Sequence, residues 1–345
     1  MKTYNHLFPT IYAFDALYAA YKRARRGKRH LPEILRFESN LESELIQLQN
    51  ELIWGEYQTG PYRLFYVHKP KKRLVAALPF RDRVVQHALH AALEPIWEPR
   101  FIHHSYACRP GKGMHAGADT AQKWLRDIER HYGKAHVLKA DVRKYFASIN
   151  RRILFRLLAR RIRCPGTLAL CRDILASWRH GLPIGNLISQ LWANVYLHEL
   201  DKFAKQTLRA RRYIRYMDDF VIVHPDKAQL HHWRRQITAW LRASLKLELN
   251  RKTQVFPVAR RHGRALDFLG YRMWAHRRRL RPDAIKRMHR RMRQMQGQYA
   301  SGEINFADIR QRIASWDGHA RRAHSYGLRQ QLFTRYAFTR STHNG

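Results

Sequence analysis

The chain has 345 residues, and its 66 Lys and Arg against 26 Asp and Glu give a formal charge of +40, an excess that repels itself in a compact state unless a polyanion neutralises it. Nucleic acid is the favoured partner, because Lys and Arg contacts to phosphate supply most non-specific affinity; an anionic membrane surface is the competing reading. No apolar run approaches the ~20 residues of a membrane span, the opening MKTYNHLFPTIYAFDALY lacks a signal-peptide layout, and Cys108, Cys164 and Cys171 build neither a disulfide framework nor a CxxC zinc pattern, so ordinary buried thiols in a cytoplasmic protein are expected.

The length predicts two or three subdomains rather than one compact unit. Residues 1–60 read as helical: FDALYAAYKRARRGK is apolar then basic, and EILRFESNLESELIQLQNELIWGEY keeps apolar residues at three- and four-residue intervals. Residues 62–79 are expected to be extended, with the basic cluster HKPKKR (68–73) between short apolar strands. Helices are predicted over 83–97 and 116–131, and HVLKADV (136–142) is a β-run. Two basic helices interrupted by CPG (164–166) occupy 151–180, and a long helix over 189–208 follows a Gly-punctuated turn. After a hairpin come a helix over 227–245, two strands, LKLEL (245–249) and FLGYRMW (268–274), and a basic helical tail. Basic helices on both sides of the hairpin favour a wrapped groove over merely solvated faces.

The hairpin is RRYIRYMDDFVIVH (211–224). Asp is depleted in strands and favoured in turns, so Asp218 and Asp219 are expected at its tip. Two acids at a turn most often mean solvent and turn chemistry alone. Here the flanks are apolar on both sides, and HVLKADVRKYFASI ends another buried-looking strand in Asp141. Carboxylates gathered in so basic a chain make sense as holders of divalent metal. Mg²⁺ takes one or two carboxylates plus substrate phosphates, and two ions roughly 4 Å apart clamp both oxygens of an in-line displacement.

At these residues the chain resembles the reverse transcriptases. YMDD (216–219) matches their motif, KKRLVAALPFRDRVVQHAL (71–89) resembles the fingers-to-palm segment, and LKADVRKYFASI (138–149) the first palm motif. GLPIGNLISQLWANVYLHELD (181–201) resembles the palm-helix motif, and LELNRKTQ (247–254) and FLGY (268–271) the two later blocks. The ordered series covers about residues 60–275. The resemblance implies an α+β right-hand polymerase fold, with fingers, an antiparallel palm sheet and a helical thumb. It implies N-terminal helices and fingers over 1–110, a palm over 111–275 with a fingers insertion at 150–182, and a thumb over 276–345. By the same resemblance, Asp141, Asp218 and Asp219 hold two Mg²⁺ ions, with Mn²⁺ as a substitute, and Lys252 protonates the leaving pyrophosphate. Arg73, with Lys71 as a basic neighbour, contacts the incoming deoxynucleoside triphosphate. Phe146 is the steric gate against ribonucleotides, or alternatively a plain core aromatic.

Most relatives carry P-Q-G and then S-P in the palm-helix motif, whereas this chain reads P-I-G-N-L-I-S-Q: Ile184 replaces Gln before Gly185, and Gln190 replaces Pro. The IGxxxSQ form resembles reverse transcriptases of diversity-generating retroelements, which copy a template RNA into cDNA with errors at adenines. Gln donates and accepts hydrogen bonds, whereas Ile offers only shape; losing a hydrogen-bonded check lowers discrimination. A neutral packing variant is the other reading of Ile184. The resemblance further implies a prokaryotic or phage origin, an RNA/DNA duplex as ligand and a small basic oligomeric accessory protein. A retron-type or phage-defence enzyme is the alternative, a free-standing group II intron relative ranks below it, and a catalytically silent RNA-binding protein ranks last because all three acids are present.

Overall fold

The computed structural model describes residues 2–68 and 72–340; Lys71, expected near the nucleotide, lies outside the described residues. Four helices open the chain: α1 (Pro9–Tyr12), α2 (Phe14–Ala24), α3 (Pro32–Ser39) and α4 (Leu41–Trp54). In α2, Leu17, Ala20, Tyr21 and Ala24 are buried, and in α4, Leu45, Leu48 and Leu52, the three- and four-residue spacing of one helix face. α4 ends at Gly55, whose φ of 75° gives the left-handed stop that glycine allows. β1 (Arg63–Val67) and β2 (Arg73–Ala77) form an antiparallel pair, and α5 (Phe80–Trp97) packs on α2.

α6 (Met114–Tyr132) leads into β3 (Ala135–Asp141), and a short α7 (Tyr145–Ser148) precedes α8 (Arg151–Ala159) and α9 (Pro165–Ala176). Then come α10 (Leu187–Lys202), β4 (Tyr213–Tyr216), β5 (Asp219–His224), α11 (Lys227–Trp240) and β6 (Gln254–Val258). β7 (Leu266–Phe268), β8 (Tyr271–Met273) and β9 (Arg278–Leu280) make a second antiparallel sheet. α12 (Pro282–Ala300), α13 (Phe306–Ala320) and α14 (Tyr326–Arg335) follow.

The central sheet is antiparallel in the order β4-β5-β3-β6. Because strand side chains alternate between faces, one set (Leu138, Ala140, Tyr213, Phe220 and Ile222) joins the core built with the N-terminal helices, α10 and α11. The other set (Val137, Ile214, Val221 and Val223) joins a second core with α6 and the three-stranded sheet. Cover on both faces is why FVIV (220–223) is apolar without a break. A third cluster, Met288, Met292, Met295, Ile309, Leu332 and Tyr336, ties α12, α13 and α14 together.

Cys164 and Cys171 are buried as expected, but Cys108 is exposed. Three further expectations need correction. LKLEL (245–249) is not a strand. Residues Leu241–Leu245 close as a wide helical turn, Lys246 turns left-handed at φ 55°, and only Leu249 makes a single bridge, to Val142. The alternating leucines are buried by a helix end and a crossing chain instead. The fourth palm strand is β6, whose Pro257 is tolerated because the strand lies at the sheet edge. FLGYRMW is two strands, not one: Leu269 and Gly270, at φ 51° and 86°, form the two-residue turn between β7 and β8, the double positive φ that a type I′ hairpin needs. The hairpin tip also shifts by one residue. Tyr216 pairs with Asp219, so Met217 and Asp218 are the turn and Asp219 is the first residue of β5.

Candidate active site

Strand pairing gathers the acids. Asp141, last in β3, stands opposite Asp219, first in β5, and the Val142 amide donates to the Asp218 carbonyl at 3.2 Å. One strand end and one turn thus carry all three carboxylates to the same edge of the sheet. Lys139, two residues back on the same face of β3, reaches Asp219 Oδ2 at 3.6 Å. Among the described residues, Asp219 Oδ1 is buried and has no hydrogen-bond partner. Burial pushes the Asp219 carboxyl up to about 7; Lys139 opposes the shift, and Asp141 and Asp218 add to it. Burial likewise raises Asp218, followed by the charge of Asp141, while Arg73 pulls it down.

That donor set fits divalent cations. Crowded carboxylates with raised pKa values repel one another once ionised, and Asp219 Oδ1 has an unused lone-pair face. Among the described residues no three His, Cys, Asp or Glu side chains close into a cage of their own. An open, oxygen-only site of this kind suits Mg²⁺, which keeps waters and takes substrate phosphates as its other ligands.

Arg73 opens β2 and acts on the charge of Asp218. The Ala76 amide of the same strand donates to the Ile184 carbonyl at 2.9 Å. Gly185 follows at φ 122°, and a Cβ there would stand 2.9 Å from Val75 Cγ1 and 3.1 Å from the Ala76 carbonyl, so only glycine fits against β2. Ile184 and Gln190 are half-buried. Phe146 is half-buried against the main core and meets Tyr145 edge to face at 5.7 Å. Lys252 is exposed, and its amide donates to Asn250 Oδ1 at 3.1 Å.

Several residues at the site escape sequence reasoning. Asn250 holds Asp141, Lys139 faces Asp219, and Arg215, Asp201 and Asn194 lie buried beneath the turn. The available signal was period-two alternation: Lys139 falls on the Asp141 face of β3, and Arg215 is a charge inside an otherwise apolar strand.

The chain is similar to known proteins over more than half of its length. A family model described as reverse transcriptase (RNA-dependent DNA polymerase) matches residues 67–273. Protein YkfC of Escherichia coli is 30% identical over 280 residues, which cover 68% of this chain and 72% of that protein. The group II intron-encoded protein LtrA of Lactococcus lactis subsp. cremoris is 27% identical over 234 residues, 63% of this chain and only 38% of LtrA. A solved telomerase from Candida albicans, in complex with a fragment of telomeric RNA, shares 11% identity and covers 66% of this chain and 46% of that one, with a TM-score of 0.47. With the antiparallel palm sheet and its acids in place, the chain belongs to the reverse transcriptase family and has the right-hand polymerase fold.

Proposed function

We propose that this polymerase copies a template RNA into cDNA by nucleotidyl transfer at Asp141, Asp218 and Asp219, with two Mg²⁺ ions, or Mn²⁺ in their place, held by those carboxylates. One observation carries the reading: among the described residues, Asp219 Oδ1 is buried without a partner in a carboxyl pushed up to about 7 beside two further acids. Bound there, the ions would supply positive charge at the attacking and leaving oxygens. Arg73 faces the triphosphate, Lys252 delivers a proton to pyrophosphate, and Phe146 crowds the 2′-hydroxyl. Residues 1–110 would serve as N-terminal helices and fingers, 111–275 as palm with a fingers insertion at 150–182, and 276–345 as thumb. The charge of +40 suits the RNA template and the RNA/DNA duplex.

The finer assignment is an error-prone enzyme of a diversity-generating retroelement, working with a small basic accessory protein. Its support is Ile184 and Gln190 in the IGxxxSQ form, with the Ile184 main chain fixed against β2. Likeness to LtrA favours a second reading, an enzyme of the group II intron type. Among the described residues no helix is long and apolar enough to cross a membrane.

Primer extension on an RNA template, with Mg²⁺ added or withheld, tests the chemistry. Asp218→Asn should keep the fold and lose DNA synthesis, because a neutral amide cannot anchor the ions; activity within a few-fold of wild type would reject the triad. Neighbouring DNA containing a template and variable repeat pair that differs at adenines separates the retroelement reading from the intron one.

A further inference from the structure

Beneath the catalytic turn lies a charge pair that solvent does not reach. The side chains of Arg215 and Asp201 are both 0% exposed. Arg215 Nε and Nη2 donate to Asp201 Oδ1 and Oδ2 at 2.7 and 2.6 Å, a two-pronged fork, and the Tyr213 hydroxyl donates to Oδ1 at 2.8 Å. The remaining nitrogen, Nη1, donates to Asn194 Oδ1 and to the Met217 carbonyl, each at 3.0 Å. Asn194 and Asp201 are seven residues apart on α10, hence two turns along one face. Asn194 Nδ2 is itself tied to the Ala107 carbonyl at 2.9 Å. The backbone of Arg215 is pinned as well: its amide donates to the His104 carbonyl at 2.9 Å, and its carbonyl accepts from the Tyr106 amide at 3.0 Å.

Burying such a pair is a poor way to gain stability, because desolvation offsets the attraction, and apolar residues of similar volume often do as well or better. Its geometry has another use. Met217 sits at φ 54°, a left-handed conformation that strains an L-residue and persists only where the surroundings over-determine it. The guanidinium grips the carbonyl of that same residue, one position before Asp218. We propose that Arg215, locked by Asp201 and Asn194, is a positioning residue that fixes the Met217 carbonyl and so aims the Asp218 and Asp219 carboxylates. The inference rests on the polymerase reading above. It also links two motifs mechanically, since α10 begins two residues after Gly185 and carries both anchors of Arg215.

The decisive variant is the double substitution Arg215→Met with Asp201→Leu, which removes both charges and leaves no orphaned ion. Its melting temperature should stay within a few degrees of wild type, and its KM for deoxynucleotide should be unchanged. Its kcat should fall at least tenfold, and the Mg²⁺ concentration for half-maximal rate should rise several-fold. Arg215→Lys keeps a positive charge facing Asp201 but lacks the rigid fork, so it should move in the same direction. Amide hydrogen exchange supplies a readout independent of turnover: protection should fall at 217–219 and hold along β3 and α10. A double variant with wild-type kcat and wild-type exchange at the turn overturns the inference. So does a general loss of protection and melting temperature in both variants, which would reduce the pair to a structural role. A wild-type protein that makes no cDNA instead refutes the polymerase reading, and the exchange pattern then decides the positioning role alone.

Discussion

Asn250 grips Asp141 at both ends: its amide donates to the Asp141 carbonyl at 2.7 Å, and its side-chain Nδ2 donates to Asp141 Oδ2 at 3.2 Å. The first bond continues the pairing beyond the end of β3, and the second holds one oxygen of the carboxylate in place. Asn250→Ala keeps the backbone bond and drops the side-chain one. A hydrogen bond to a charged group is worth about 1.5–3 kcal/mol, and losing the lower end of that in the transition state costs about tenfold in rate. Steady-state primer extension should show that fall in kcat with an unchanged melting temperature. An Asn250→Ala enzyme at full kcat would mean that Asp141 holds its place without help.

The raised carboxyl of Asp219 gives a pH signature. Its ordinary value is 3.8 and its folded value is about 7, so the folded state holds the proton more tightly than the unfolded chain does. Stability from this group is therefore full below about 4 and is lost as pH rises through about 7. Half-buried His87 and His104 and buried His198, each pushed down to about 4 by desolvation, act in the opposite sense and lose stability as pH falls. The two contributions separate in a difference measurement. In metal-free buffer, the melting temperature of Asp219→Asn minus that of wild type should grow as pH rises from about 5 to 8. Adding Mg²⁺ should shrink that gap, since the ion compensates only the ionised carboxylate. A gap that does not vary with pH would show that Asp219 titrates normally.

Phe146 tests the gate. It is half-buried and packed on the main core, five residues past Asp141. Phe146→Ala should raise incorporation of ribonucleotides relative to matched deoxynucleotides, because the space for the 2′-hydroxyl opens. Truncating a buried Phe fully costs roughly 3–5 kcal/mol, and a half-buried one less, so the melting temperature should drop modestly. An unchanged ribo-to-deoxy ratio together with that drop would return Phe146 to the core.

How far the sequence discloses the fold depends on what each residue answers to. Helix faces such as Leu45, Leu48 and Leu52, and the strand ending in Asp141, follow local periodicity and are legible, whereas the start of β5 at Asp219 is not, because Asp favours a turn until its pairing with Tyr216 is known. LKLEL alternates as a strand does, yet its leucines are buried by a helix end, because alternation reports burial and not pairing. β6 is not legible from the sequence, because Pro257 argues against a strand until its edge position is known. Arg215 reads as part of an apolar hairpin, since its partners Asp201 and Asn194 lie 14 and 21 residues back in the chain on another element. The approach of Asp141 and Asp218 was legible only through motif order; that Asn250 would hold Asp141 depended on a loop crossing no local pattern predicts.

On the diversity-generating reading proposed above, Ile184 is the residue that would set fidelity, and the surrounding geometry sharpens what its replacement should do. The Ile184 carbonyl accepts from the Ala76 amide at 2.9 Å, and Gly185 leaves no room for a Cβ against Val75 and Ala76. The main chain at 184 is therefore pinned to β2, the strand that Arg73 opens, so a new side chain enters a fixed frame. Ile presents only shape to a nascent base pair, whereas Gln presents a donor and an acceptor. A site that hydrogen-bonds the correct partner punishes a wrong one by leaving polar groups unpaired. Ile184→Gln should therefore lower misincorporation, most visibly opposite template adenines, and a gain of ~1.4 kcal/mol in discrimination means about tenfold fewer errors. Because β2 carries both the Ile184 contact and Arg73, Arg73→Ala should change the same error spectrum but also slow synthesis if, as proposed, Arg73 faces the triphosphate. The measurement is deep sequencing of cDNA made from one defined RNA by wild type and Ile184→Gln at matched yield. Uniformly low wild-type error at all four template bases would defeat the diversity-generating assignment. An error-prone wild type whose spectrum survives Ile184→Gln would spare that assignment and move the cause of infidelity away from residue 184.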